Sequence, residues 1–242
     1  VNEAARITLV CLDLAGTTVA GDKLVETAFV EALATLGIVP GTTAYERAIA
    51  DVRQSRGQPK IEIFRNLFPE DEARAQAVNL SFERSYDSLI DRMGLAPVPG
   101  AESAIDKLIG AGVRVCLTTG FSRATLGRVL DTLGWWSRVD LALCPADVGR
   151  GRPSPDLVLS AALRLRVDDV RHIAVCGDTE SDMLCGRRAG ASVVAGVLTG
   201  AHDKERLLRA GATHVIDSIA DLPAIVLGES DREQDVVGAE HR

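Results

Sequence analysis

Hydrophobic and polar positions follow two regimes along the chain. From Ile7 to Leu12 the residues are apolar or β-branched, the run delivers Asp13 at its end, and Gly16-Thr17-Thr18 follows before helical spacing begins at Leu24. This predicts a first strand that ends in a carboxylate. Leu24, Ala28, Ala32 and Leu36 then share one helical face, with Gly37 as the stop. A second helix is expected over 43–52 and a third opening at Pro59 and carrying Ile61, Phe64 and Phe68 inward. A long charged helix over 70–93 follows, with Leu80, Tyr86, Leu89 and Met93 as its apolar positions. No strand pattern interrupts residues 20–96, so this block reads as an all-helical insertion, a mobile cap.

Beyond the stiff Pro97-Val-Pro99-Gly100 the signal alternates. Helices are expected at 101–111, 122–133, 154–165, 181–189 and 202–210, interleaved with strands at 113–119, 139–144, 172–176, 192–197 and 214–216, and a short helix closes the pattern. Strands alternating with helices of this length predict an α/β fold with a parallel sheet covered on both faces. The expected division is a core of 1–19 plus 97–227 and a cap of 20–96, with a charged, aperiodic and disordered tail over 228–242. There is no internal repeat.

Composition narrows the function classes. A chain of 242 residues, 46% hydrophobic, accommodates one large domain or a core with an inserted cap. The net charge of −7 and pI near 5.2 argue against a nucleic-acid partner, which needs a broad basic surface. A phosphate-bearing small substrate would then require local positive charge or a metal. The longest apolar run near the start is Leu9 to Leu12, which predicts neither a signal peptide nor a membrane span, and a cytoplasmic location is expected. Of five cysteines, Cys11, Cys116 and Cys176 sit in strand-like runs, Cys144 ends another, and no CxxC pair occurs, which reads as reduced, buried thiols.

In open α/β sheets ligands bind beyond the carboxyl ends of the strands. Asp13, Thr119, Arg152 and the Asp178/Asp182 pair all fall there. Three clustered carboxylates repel one another unless a cation lies between them, and a hard divalent ion, Mg2+, answers that need. The amides of Gly16, Thr17 and Thr18 are expected to curl around an anion. Thr119 with Gly120 offers a hydroxyl and a flexible amide, and Arg152, in Gly149-Arg-Gly151-Arg152-Pro-Ser-Pro155, is placed to pin a phosphoryl oxygen. The Gly149/Gly151 pair does not complete a dinucleotide fingerprint, and there is no P-loop.

The ordered motifs DxAGTT, TTG, GRPSP and GDTxSD resemble the haloacid dehalogenase superfamily, and within it the phosphonatase (phosphonoacetaldehyde hydrolase-like) branch, from Leu9 to about Gly200. The resemblance implies a Rossmann-like core with Asp13 as a nucleophile that becomes an aspartyl-phosphate. It implies Mg2+ held by Asp13, the Ala15 carbonyl and Asp178, with Asp182 steadying the metal shell, and a phosphoryl group held by Thr119 and Arg152. A homodimer is implied by the family alone.

Ala15 separates the reactions. Phosphatases of the superfamily carry an aspartate two residues after the nucleophile that protonates the departing alkoxide; alanine does not. A carbon leaving group can be activated instead by an amine, since an iminium beside the phosphonate draws the electrons of the breaking C–P bond. Gly57-Gln-Pro-Lys60-Ile61-Glu62 matches the branch's Gly-x-x-Lys-Ile-acidic pattern, so Lys60 is the expected imine lysine, in a helix first turn that disfavours the ammonium. Where phosphonatases carry methionine, histidine, tyrosine and cysteine, this chain has Arg56, Ile63, Phe121 and Lys23. A bulkier or more anionic carbonyl phosphonate, read by Arg56 or Lys23, therefore stands beside phosphonoacetaldehyde as substrate. The competing readings are a phosphomonoesterase independent of Lys60, a metal-free dehalogenase, against which the Asp178/Asp182 pair argues, and a phosphoryl-ligand-binding protein without turnover.

Overall fold

The computed structural model describes residues 6–228; the expectation of a disordered 228–242 tail falls, past Gly228, outside them. Six parallel strands form one sheet: β1 (Leu9–Asp13), β2 (Arg114–Thr118), β3 (Leu141–Leu143), β4 (Ile173–Gly177), β5 (Val193–Val197) and β6 (His214–Ile216). Their order across the sheet is β3-β2-β1-β4-β5-β6. The central strand β1 is buried at every position, and its alternate side chains divide the core. Val10 and Leu12 face one layer, which includes α5 (Ala101–Gly110), α6 (Arg123–Leu133) and α10 (Leu222–Leu227). Leu9 and Cys11 face the other, with α7 (Asp156–Arg164), α8 (Glu180–Ala189) and α9 (Lys204–Arg209). A strand buried on both faces reads as an unbroken apolar run, which is how Leu9–Leu12 is composed. The five cysteines are buried and free.

Four helices are inserted between β1 and β2: α1 (Asp22–Ala34), α2 (Thr43–Gln54), α3 (Lys60–Leu67) and α4 (Glu72–Met93). The α4 face turned inward is Ala75, Val78, Phe82, Tyr86, Leu89 and Ile90, at helical spacing. Leu80 and Met93 are exposed, because Leu80 lies off that stripe and Met93 ends the helix. Phe29, Phe64 and Phe82 form the centre of the cap, with ring centroids 4.6–6.2 Å apart. The two chain crossings into the cap are joined to each other. Val19 bridges Pro97, the Ala20 amide donates to the Ala96 carbonyl at 2.9 Å, and the Val98 amide donates to Thr18 at 2.9 Å.

Several element ends differ from the periodicity. Strand β3 begins at Leu141 because the Asp140 carboxylate turns back to accept from the Val115 amide at 2.9 Å. Pro59 stands just outside α3 rather than as its first residue, which makes Lys60 the first helical residue. Helices α4 and α9 start after the capping carboxylates Asp71 and Asp203, and α8 starts after a Thr179 capping box. Among the described residues no helix is long and apolar enough to cross a membrane.

Candidate active site

Strand β1 pairs with β2 on one side and β4 on the other, so Asp13, Thr119 and Asp178 emerge at one edge. All three line a cavity of about 30 Å3, together with Ala15, Asp22, Arg56, Gly57, Lys60, Gly120, Phe121, Arg152 and Thr179. Sequence-predicted residues from five separate loops therefore converge. A larger groove of about 950 Å3 runs along the cap–core seam and shares Lys60, Gly120, Phe121 and Arg152 as walls.

The turn after Asp13 departs from its expected role. The Thr17 and Thr18 amides donate to the Leu14 carbonyl at 3.3 and 2.9 Å, and the Gly16 amide to Val19 at 2.8 Å, so these amides are spent inside the turn rather than offered to an anion. Gly16 instead provides room: at φ 93° it tolerates the Asp178 carboxylate 2.6 Å from where a Cβ would stand. The Thr17 hydroxyl donates to Asp178 Oδ1 at 3.3 Å, and the Thr18 hydroxyl to the Asp13 carbonyl at 2.8 Å.

Arg152 is 3% exposed and bonds Asp13 Oδ1 through Nη2 at 2.6 Å, while its Nη1 pairs with Asp182. Asp182 also accepts from the Thr179 amide and hydroxyl. Its carboxylate thus orients Arg152 and caps α8; it was expected at the metal shell, and all its partners here are protein donors. Thr119 Oγ1 accepts from the Phe121 amide at 3.1 Å, which leaves its hydroxyl proton for a ligand.

Lys60 donates its backbone amide to the Gly120 carbonyl at 3.2 Å, and its Nζ stands 5.1 Å from the centroid of the Phe121 ring. Withdrawal from water, and next the Arg152 guanidinium, lower its pKa to about 8, against the opposing pull of Asp13. Ala15 lines the same cavity, and its side chain is a methyl group with no proton to give.

Cap and core touch here through glycines. A Cβ on Gly57 would meet Thr179 Oγ1 at 2.2 Å, one on Gly120 the Gln58 carbonyl at 2.5 Å, and one on Gly151 the Pro59 ring at 2.2 Å. The importance of Gly151 was hidden in the sequence, although it stands in a motif already singled out. Asp22 and Tyr86 were also missed. Asp22 lines the cavity, and Tyr86, fully buried with an unpartnered hydroxyl, packs 4.8 Å from the Phe121 ring. Tyr86 looked like one more core residue of an amphipathic helix, and no local signal distinguished it.

The donors fit a hard dication. Asp178 is 1% exposed, and burial, then the charge of Asp13, pushes its carboxyl up to about 7. Its orientation is fixed by the Ala201 amide, which donates to Oδ2 at 2.7 Å. A buried carboxylate held against a second one calls for positive charge. Among the described residues no three His, Cys, Asp or Glu side chains converge as a metal cluster. Two carboxylates supplemented by a backbone carbonyl is the sparse oxygen set that Mg2+, which retains waters, accepts.

Residues 7–190 match the family model for haloacid dehalogenase-like hydrolases. A phosphonoacetaldehyde hydrolase of Bacteroides fragilis is 28% identical, covering 91% of this chain and 96% of that protein. A probable phosphatase, IndB, of Dickeya dadantii is 27% identical over 88% of this chain and 91% of its own. The crystal structure of a phosphonoacetaldehyde hydrolase-like protein from Oleispira antarctica superposes with a TM-score of 0.79 at 26% identity, covering 95% of this chain and 94% of that one.

Proposed function

The chain belongs to the haloacid dehalogenase-like hydrolases, enzymes that work through an aspartyl intermediate, and from that premise we propose that it hydrolyses the C–P bond of a small carbonyl phosphonate, phosphonoacetaldehyde or a relative. The observation that carries the reading is the meeting of Asp13, Arg152 and Lys60 around one small cavity, beside the methyl group of Ala15. Asp13 is the nucleophile, and Thr119 and Arg152 hold the phosphoryl oxygens. Asp13, the Ala15 carbonyl and Asp178 would hold Mg2+, which when bound neutralises charge on the phosphoryl group and its nucleophile.

Lys60 supplies what Ala15 omits. Its free amine condenses with the aldehyde, releasing water and leaving an iminium one carbon from the C–P bond. A carboxylate oxygen of Asp13 attacks phosphorus, the C–P electron pair moves into the enamine, and no acid is needed at the leaving carbon. Protonation of the enamine carbon and hydrolysis of the imine return Lys60 and release acetaldehyde; water then cleaves the aspartyl-phosphate to phosphate. The net reaction consumes one water. The Phe121 ring lies against the amine, and partial withdrawal from water favours its uncharged form.

Borohydride trapping with phosphonoacetaldehyde, read by intact mass on wild type and Lys60→Arg, tests this directly. A substrate-dependent adduct absent from the variant, with Mg2+-dependent phosphate release, is the expected result. The second reading, a phosphomonoesterase, is favoured by the similarity to the probable phosphatase. It would be established by phosphate esters hydrolysed equally well by both proteins with no adduct.

A further inference from the structure

Resting on the C–P reading, we propose that Arg56 is a specificity-determining residue that binds a carboxylate on the substrate, at the end away from the phosphoryl group. The substrate class is then a 2-oxo acid carrying a phosphonate on carbon 3. Its phosphoryl group lies with Asp13 and Arg152, its ketone with Lys60 and its carboxylate with Arg56.

The backbone of Arg56 is pinned to the core. Its carbonyl accepts from the Ser181 hydroxyl at 3.1 Å, and Gly57, at φ 83°, is pressed against Thr179. The side chain that follows from this anchor is 15% exposed and forms part of the cavity wall with Asp13, Lys60 and Arg152. It is ion-paired loosely with two acids: Asp22 Oδ2 lies 3.4 Å from Nη1 and Glu26 Oε2 lies 3.7 Å from Nη2, both longer than the 2.6 Å contact of Arg152 with Asp13. Glu26 is already bonded through its other oxygen to Arg53 at 2.6 Å. Arg152, on the same wall, holds Asp13 at 2.6 Å. Of the two guanidinium groups facing the cavity, Arg56 is therefore the one held only by longer ion pairs, while Arg152 is locked at 2.6 Å on the nucleophile, and a carboxylate is the ligand that the looser fork matches. Burial raises the pKa of Asp22, so that residue gives up its charge more readily than an ordinary aspartate when a second carboxylate arrives. Lys23, the other cation flagged in the sequence, is exposed and does not line the cavity.

The reaction balances as before. Asp13 attacks phosphorus, the C–P pair enters the enamine formed on Lys60, the former C3 takes up a proton, and imine hydrolysis releases the 2-oxo acid shortened by its phosphoryl group. Phosphate leaves from Asp13, and one water is consumed.

The test uses two matched pairs with Mg2+ present: 3-phosphonopyruvate against phosphonoacetaldehyde, and 2-phosphoglycolate against ethyl phosphate. Phosphate release gives kcat/KM for wild type, Arg56→Met and Arg56→Lys. Wild type is expected to favour the carboxylated member at least 10-fold, chiefly through KM, and Arg56→Met to bring the ratio close to one. Arg56→Lys, which keeps the charge without the fork, should lower the ratio at least threefold, and it serves as the readout if the methionine variant does not fold. A wild-type ratio of one or less, or a ratio unmoved by both variants, overturns the proposal. Turnover of the ester pair alone sinks the C–P reading while Arg56 is still judged on the ester ratio. If neither pair turns over, calorimetric affinities for the same four compounds supply the ratio.

Discussion

At the scale of single residues, Asp178 and Lys60 are held against their ordinary ionisation by their surroundings. The folded-state pKa of Asp178 is raised to about 7, so at neutral pH and above, without metal, the folded protein carries a penalty that the unfolded chain does not. Asp178→Asn is therefore expected to raise the melting temperature of the metal-free protein and to lack the Mg2+-dependent rise expected of wild type, as read by scanning calorimetry with and without Mg2+. A variant that melts lower and still responds to Mg2+ contradicts this. For Lys60 the sign follows from the free amine that the proposed imine requires. With a pKa of about 8, kcat/KM should climb with unit slope as pH rises toward 8 and flatten above it. Asp13, Lys60 and Asp178 were legible in the sequence because strand ends and spaced motifs mark them. The spent amides of Gly16–Thr18 were not, because a turn's own hydrogen bonds depend on a backbone path that composition does not reveal.

Among the elements, the cap helices and sheet were readable because each carries its own period, 3.6 or near-continuous burial, over enough residues to be unmistakable. Their ends were less so: Asp71, Asp140 and Asp203 fix starts through single side-chain hydrogen bonds that periodicity does not register. The seam between elements was invisible, since it depends on which glycines meet which loops. Gly120 and Gly151 have no positive-φ requirement, so alanine there adds a methyl group and little backbone strain. Overpacking costs about 1–3 kcal/mol. Here it falls on cap docking rather than on either core, an effect of roughly 5- to 150-fold on the docked population at 1.36 kcal/mol per decade. Gly120→Ala and Gly151→Ala should thus lose kcat/KM by about that factor while melting temperatures stay close to wild type. A large fall in melting temperature with kcat/KM preserved would show that the seam contributes to folding instead.

For the molecule as a whole, acid should act in two windows. His202, 6% exposed, accepts from the Glu180 amide at Nδ1 (2.9 Å), so a proton there would set two donors face to face. Burial, then Arg206, lowers its pKa to about 4. Its neutral form is favoured in the fold, and stability drains as pH falls from the usual 6.5 to about 4. His202→Gln should flatten the melting temperature across that range. A second loss, weakened in advance by salt, follows below about 4 as the exposed Glu72 and the half-buried Asp169, held near 2 by Arg65 and Arg171, take up protons.

The joined crossing at Val19 and Pro97 bears on speed as well as shape. Two tethers tied to each other join the four-helix cap to the core at one place, about which a moving cap would swing. The cavity of about 30 Å3 holds a water or two and the wider groove shares four of its walls, so a cap that swings to admit an organic phosphonate would begin and end each turnover with that motion. Solvent drag on a body of this size then sets a ceiling on throughput, and kcat should fall in proportion to relative viscosity as sucrose is added.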